Sequence, residues 1–181
     1  MCVHVADLTS DDINDVLSEF SADSGYPVVI QSAGVGDFAA FADLAWSSIE
    51  EQLQVNYLVP ARIIHQLLPH ILSQGGGQVI NVLSMVCENV LPGAAAYAAS
   101  KAALQMLGKV LAKEYRAQGL RVTNLLPGAV YTPIWAGSSM DSRREEMIPA
   151  EDMARVIADL VKSPQTYNVD ELLVMPPGGV L

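Results

Sequence analysis

Apolar positions follow two different periods along the chain. Short apolar runs, which predict strands, lie at residues 3–7, 26–34, 75–84 (after a glycine turn), 120–128 and 171–176. Longer segments with helical patterning predict helices at residues 8–25, about 47–74, 97–117 and 149–161. The resulting order, βαβαβαβαβ, is typical of a parallel sheet with helices on both faces.

Local signals refine two of these segments. Ser47 with Glu50, and Ser48 with Glu51, are capping-box candidates for the start of the second helix. Pro60 lies inside that helix and is expected to kink it. Residues 132–149 are polar, contain glycine and are flanked by prolines, which predicts a mobile loop over a site.

Composition limits the classes of protein that fit. The length of 181 residues suits one domain, and a hydrophobic fraction of 51% is compatible with a large core and an oligomer interface. The net charge of -10 argues against a nucleic-acid or anionic-membrane partner. The sequence has only two cysteines, no apolar run long enough to span a membrane and no recognisable targeting segment. We therefore expect a cytoplasmic protein.

A tyrosine and a lysine, Tyr97 and Lys101, lie four positions apart in an alanine-rich helical segment. This spacing places both side chains on one helix face, where the ammonium is expected to lower the pKa of the phenol. Such a tyrosine can act as a general acid or base, although the pair alone is weak evidence. His65 and His70 are off a common face, so no metal site is predicted, and Cys87 is interpreted as a packing residue.

Further motifs occur in a fixed order around this pair. Ser84 stands thirteen residues before Tyr97 at the end of a predicted strand, Asn56 lies in the preceding helix, and the segments QSAG and PGAVYT follow two other strands. Together these features resemble the short-chain dehydrogenase/reductase family over nearly the whole sequence. The resemblance implies an α/β fold, a Rossmann-like doubly wound parallel sheet.

The resemblance also implies a reaction. Tyr97 would exchange a proton with the oxygen of a carbonyl or alcohol substrate while NAD or NADP carries the hydride, and Ser84 would hydrogen-bond that oxygen. Lys101 would lower the tyrosine pKa and bind the nicotinamide ribose. Asn56 would hold a water that links the lysine to solvent, and no metal is required.

The remaining cofactor contacts implied by the resemblance follow the strand ends. Asp7 and Leu8 would contact the adenine, and Ala33 and Gly34 would border its ribose. The nicotinamide carboxamide and pyrophosphate would lie against Pro127, Gly128, Val130 and Thr132. Asp7 as a plain helix-start residue and Thr132 as a turn residue are the competing interpretations.

One part of the family pattern has no counterpart in the sequence. The opening strand, its glycine-rich turn and the following helix and strand are missing, so residues 1–181 are expected to form a single, incomplete, N-terminally truncated domain. In the family's strand order the missing strands would lie between residues 3–7 and 26–34. We therefore expect the first strand to shift, to detach or to leave a gap that another chain fills.

Two functions remain open. The first is an NAD(P)-dependent oxidoreductase, with 3-oxoacyl-carrier-protein reductase or hydroxy acid dehydrogenase as candidate types. An acidic carrier would need a local basic patch on this acidic chain, for which the candidates are Arg116, Arg121, Arg143 and Arg144. The second is an inactive fold fragment that acts through association, since the helices carrying Asn56 and Tyr97 are those by which the family forms homodimers or homotetramers.

Overall fold

Four parallel strands form one sheet in the computed structural model, which describes Asp7 and residues 25–180. The strands are β1 (Val28–Gln31), β2 (Gly77–Val82), β3 (Leu120–Pro127) and β4 (Glu171–Val174). They lie in the order β1-β2-β3-β4. The strand predicted at residues 3–7 and the helix predicted at 8–25 fall outside the described residues except at their ends.

Helices connect the strands close to the predicted bounds. They are α1 (Trp46–Leu53), α2 (Val59–Ser73), α3 (Ala95–Tyr115) and α4 (Ala150–Lys162). Short 3₁₀ turns lie at Phe41–Asp43, Met85–Cys87, Arg116–Gln118, Pro133–Trp135 and Ser139–Glu146. The helical prediction therefore holds from α1 onward, and the predicted loop at 132–149 contains two of the 3₁₀ turns.

The long helical connection between β1 and β2 changes its hydrogen-bonding pattern in the middle. Residues Gln54–Leu58 form a π-helical turn between α1 and α2. Pro60 follows at once and has no N–H to offer to the carbonyl four residues earlier, that of Asn56. Pro60 thus lies in the first turn of α2, next to a π-helical turn of a kind frequent at functional sites, and the kink stays a prediction.

The capping-box interpretation of Ser47 and Ser48 is wrong. The helix begins at Trp46 with Ala45 as its cap, and no side chain caps it. Ser48 Oγ instead donates to Asp37 Oδ2 at 2.7 Å, so it joins the helix to the loop after β1. A tertiary contact has outweighed the local sequence signal.

The core lies on both faces of the sheet, because β2 and β3 are buried along nearly their whole length. Val79 points into a cluster with Ile64 and Leu111, from α2 and α3. The next residue, Ile80, points to the other face and packs with Leu160 of α4. Successive strand residues alternate in direction, so these two clusters confirm a doubly wound sheet.

The register of the strands aligns their carboxyl ends. Gln31 pairs with Asn81, Val82 with Leu125, and Pro127 with Val174. The loops that carry the predicted site residues therefore leave the sheet at one common edge, where open α/β sheets bind ligands. In the part of the chain that the structure describes, no helix combines the length and apolar character that crossing a bilayer requires.

Candidate active site

A cleft of about 1140 Å³ opens at the carboxyl edge of the sheet. It is lined by the predicted site residues Gly34, Ser84, Tyr97, Lys101, Pro127, Gly128, Val130 and Thr132. These residues come from four separate parts of the sequence. The fold thus brings most of the predicted site into one place.

Ser84 and Tyr97 meet in this cleft although they belong to different elements. Ser84 has extended backbone at the start of the turn Met85–Cys87, and its Oγ accepts a hydrogen bond from the backbone N–H of Val86. Tyr97 lies in the first turn of α3 and is buried. The Ser84 side chain lies close enough to the Tyr97 phenol to lower its pKa.

The surroundings of Tyr97 shift its pKa upward. Burial raises the pKa of the Tyr97 phenol to about 12, and the nearby Ser84 side chain offsets only part of that effect. The expectation that Lys101 brings this pKa below its ordinary value is therefore wrong for the protein alone. Desolvation penalises the phenolate more than its neighbours stabilise it.

Lys101 is buried beside the same tyrosine. Its Nζ lies 5.8 Å from the centroid of the Tyr97 ring and donates to the backbone oxygen of Val82 at 3.0 Å. Burial lowers the pKa of the Lys101 ammonium to about 8. The lysine is consequently close to its point of deprotonation near neutral pH, which weakens it as a fixed positive charge.

Asn56 binds the loop after β1 from the π-helical turn. It is fully buried, its Oδ1 accepts from Val35 N at 2.9 Å, and its Nδ2 donates to Val35 O at 2.8 Å. The Nδ2 also donates to Ser100 Oγ of α3 at 3.0 Å. Asn56 thereby fixes the loop that carries Gly34 against the helix that carries Lys101.

Gly34 is a point of close approach in this arrangement. A Cβ atom at Gly34 would lie 3.1 Å from Lys101 Nζ and 3.2 Å from Asn56 Oδ1. Both distances are tighter than ordinary contacts. A residue without a side chain is therefore needed where the loop passes the lysine.

The segment after β3 is held by backbone contacts. Gly128 N donates to Val174 O at 2.8 Å, and a Cβ at Gly128 would lie 2.7 Å from Pro176 Cδ. Val130 O accepts from Trp135 Nε1 at 2.8 Å. Thr132 Oγ1 reaches the same oxygen only at 3.5 Å, so the hydroxyl has no strong partner.

Some predicted cofactor residues are not part of the cleft lining. Among the described residues, Asp7 and Ala33 do not line it, and Leu8 lies outside the described residues. Asn56 acts from behind the lining through Val35. The adenine contacts assigned to Asp7 and Leu8 stay predictions.

Phe38 is a lining residue that the sequence analysis missed. Its ring meets the Tyr97 ring edge-on, with centroids 5.3 Å apart, and stacks on the Trp135 ring at 5.5 Å. The only local signal is its place a few residues after the QSAG segment. Its position depends on contacts between distant segments, which sequence periodicity does not report.

The four arginines considered as a basic patch for an acidic carrier are each paired, buried or stacked on a ring. Arg116 pairs with Asp170, Arg121 is buried, Arg143 pairs with Glu146 and Arg144 lies over the Tyr131 ring. Within the described residues, no group of three or more His, Cys, Asp or Glu side chains could hold a metal ion.

The sequence matches a known family and several curated relatives. A family model described as short chain dehydrogenase matches residues 2–143. An uncharacterized oxidoreductase of Staphylococcus epidermidis is 28% identical over 173 residues, which are 94% of this chain and 74% of the relative. Another from Staphylococcus saprophyticus is 30% identical over 149 residues, 82% of this chain and 63% of the relative.

Solved structures share the fold. A protein assigned as an NAD(P) dependent gluconate 5-dehydrogenase from Beutenbergia cavernae, with bound NADP, superposes with a TM-score of 0.85 at 26% identity and covers 95% of this chain and 74% of that one. An alcohol dehydrogenase from Thermococcus sibiricus, complexed with 5-hydroxy-NADP, superposes with a TM-score of 0.82 at 23% identity. The match covers 96% of this chain and 74% of that one.

Proposed function

Because this chain belongs to the short chain dehydrogenase family, we propose that it interconverts a carbonyl and a secondary alcohol with NAD or NADP, using Tyr97 as the general acid and base. The observation that carries the proposal is the meeting of three side chains in one cleft: the buried Tyr97 phenol, the Ser84 side chain that lowers its pKa, and the buried amine of Lys101.

The proton moves at the Tyr97 hydroxyl. With a pKa of about 12 the phenol is protonated at neutral pH, so it can donate to a carbonyl oxygen that becomes an alcohol. Ser84 Oγ lies next to the same position and donates a hydrogen bond to that oxygen. In the reverse direction Tyr97 must first lose its proton, and the phenolate then accepts the proton of the alcohol.

Lys101 lies beside the Tyr97 ring and supports its proton transfer. Its ammonium form is favoured once a phenolate appears beside it, because an opposite charge nearby stabilises both ions. Its Nζ is oriented by the Val82 carbonyl at 3.0 Å. Asn56 holds the loop at Val35 in place, which keeps the space around the amine open.

The residues of the cleft fit the nicotinamide end of a dinucleotide. Lys101 would hold the nicotinamide ribose, Gly34 would border the adenine ribose, and Pro127, Gly128, Val130 and Thr132 would hold the carboxamide and pyrophosphate. The cleft volume of about 1140 Å³ exceeds the range of roughly 300–1,000 Å³ typical of small-ligand pockets. When bound, the cofactor supplies or accepts the hydride.

Cofactor titration tests this proposal. We expect NADPH or NADH to bind purified protein with a saturable change in cofactor fluorescence, and Gly34→Leu to weaken binding at least tenfold because the added side chain enters the space beside Lys101. Gly178→Leu is the matched control, because a Cβ there meets nothing within 4 Å. No binding at millimolar concentration of either cofactor would contradict the proposal.

A second candidate is a non-catalytic module that associates with other subunits. Three hydrophobic side chains are exposed to solvent: Met106 (60%) and Val110 (43%) on α3, and Leu58 (49%) in the π-helical turn. Exposed apolar groups of this kind often mark interfaces. We expect light scattering to show a homodimer or homotetramer. The variant Met106→Lys should dissociate it. Association without any cofactor binding would favour this candidate over the enzyme.

A further inference from the structure

Three aromatic rings form a column at one side of the cleft. The Phe38 ring lies between the rings of Tyr97 and Trp135, with centroid distances of 5.3 Å and 5.5 Å. The planes of Phe38 and Trp135 are only 15° apart. Ile134 and Leu91 pack against the same cluster. An apolar wall therefore begins directly at the phenol that we propose as the acid.

The position of Phe38 is fixed by its neighbours in the chain. Asp37 N donates to Gln52 Oε1 at 3.3 Å, and Ala39 N donates to Gly93 O at 3.0 Å. The backbone is thus tied to α1 on one side and to the loop before α3 on the other. These two contacts fix the backbone that carries the Phe38 ring at the side of the cleft.

A glycine makes room for that ring. A Cβ at Gly36 would lie 2.9 Å from Phe38 Cζ and 3.3 Å from Ile134 Cδ1. The first distance is one that real Cβ atoms essentially never show. The close packing of Phe38 against the segment of Ile134 thus depends on the absence of a side chain at residue 36.

Charge is scarce in the lining. Among the described residues that line the cleft, Lys101 is the sole Asp, Glu, Lys or Arg, and we have assigned it to the cofactor side. Arg143 and Arg144 lie in the segment after Trp135 but are engaged by Glu146 and by the Tyr131 ring. A substrate carboxylate would lose its water shell without gaining a cationic partner, which is costly.

We propose that the substrate of this site is an uncharged carbonyl compound whose carbonyl bears an aromatic or comparably large apolar group, packed against Phe38 and Trp135. The inference rests on the proposed oxidoreductase function and narrows its substrate class. It sets this chain apart from dehydrogenases of hydroxy acids, which must hold a carboxylate.

A matched pair of substrates tests the charge. Methyl phenylglyoxylate and phenylglyoxylate carry the same ketone and phenyl ring and differ by one negative charge. With NADPH and with NADH, we expect kcat/KM for the ester to exceed that for the acid at least 100-fold. An acid reduced as well as the ester would overturn the inference and leave the oxidoreductase function standing.

A second experiment tests the aromatic wall. Phe38→Ala should lower the ratio of kcat/KM for the aryl ester over that for butan-2-one at least tenfold, because only the ester has a ring to pack. Phe41→Ala is the matched control, since Phe41 is 61% exposed and does not line the cleft. An unchanged ratio in Phe38→Ala would overturn the inference.

If no carbonyl is reduced, substrate binding still tests the substrate class separately from the proposed enzyme activity. Trp46→Phe removes an exposed tryptophan and leaves Trp135 as the single emitter, because the chain has two tryptophans. We expect methyl phenylglyoxylate to quench Trp135 saturably and phenylglyoxylate to quench it far less. Quenching without turnover would contradict the enzyme alone, and equal quenching by both compounds would contradict the substrate class.

Discussion

Ser84 and Tyr97, thirteen residues apart in sequence, lie close together in the cleft. The contact exists because Ser84 follows β2 where the chain turns toward α3, and Tyr97 occupies the first turn of that helix. It is the influence that lowers the tyrosine pKa against the opposing effect of burial. The pair therefore combines a proton donor with a second donor for the same substrate oxygen.

Replacing the serine should impair the reaction without unfolding the protein. Ser84→Ala is expected to lower kcat/KM about 100-fold, because it removes one hydrogen bond to an oxygen that gains charge in the transition state. Ser47→Ala on the exposed surface of α1 is the control and should leave kcat/KM within twofold. Loss of the far-UV circular dichroism spectrum in Ser84→Ala would show a structural role instead.

The buried amine of Lys101 should make stability depend on pH. Its pKa is about 8 in the folded chain and 10.5 ordinarily, so between these values the unfolded chain binds more protons and the free energy of unfolding rises with pH. From pH 8 to 9.5 the gain is roughly 1–2 kcal/mol. Urea unfolding of wild type and Lys101→Met measures it.

The variant and its control separate this lysine from other titrating groups. Lys101→Met should lose the increase, whereas Lys113→Met, at an exposed position of the same helix, should keep it. An equal rise in all three proteins would contradict the assignment to Lys101.

Asn56 should be important for stability as well as for the site. Asn56→Ala leaves the N–H and the carbonyl of Val35 without their partner and removes the amide that donates to the Ser100 hydroxyl, which still donates to Tyr97 O. Unsatisfied buried groups cost about 1–3 kcal/mol each, with partial relief by water, so we expect a loss of roughly 2–4 kcal/mol. Asn89→Ala, at an exposed position, should cost less than about 1 kcal/mol in the same unfolding experiment.

A glycine inside α3 is required by packing. A Cβ at Gly108 would lie 2.5 Å from Asn124 Oδ1 and 2.8 Å from Asn81 Nδ2, two buried amides bonded to each other at 3.0 Å. Gly108→Ala should therefore destabilise the protein by roughly 1–3 kcal/mol, although alanine is the better helix former. Gly178→Ala should change the melting temperature by less than about 2 °C, and an unchanged melting temperature in Gly108→Ala would contradict the close packing.

The sequence was sufficient for the elements that local patterns determine. Strands β2 and β3 are buried on both faces and appear as short apolar runs with clear turn signals, so their bounds could be read directly. The motif residues Ser84, Tyr97 and Lys101 follow such elements, and the parallel sheet then brings them to one edge. Their roles in the reaction remain our proposal.

Properties set by non-local packing could not be predicted. The Tyr97 pKa depends on how deeply α3 buries the phenol, so the spacing to Lys101 gave the wrong direction. Phe38 reaches the site through backbone contacts of its two neighbours with distant segments. Ser48 contacts Asp37 across a loop instead of capping its own helix.

The most direct test of the account is the rate of ketone reduction by Tyr97→Phe, followed through NADPH or NADH absorbance. Tyr167→Phe, at an exposed tyrosine, is the matched control. The account predicts that Tyr97→Phe binds cofactor normally but loses at least 100-fold in kcat/KM, while Tyr167→Phe stays within twofold of wild type. A Tyr97→Phe protein that reduces the same ketone at half the wild-type rate or faster would contradict it.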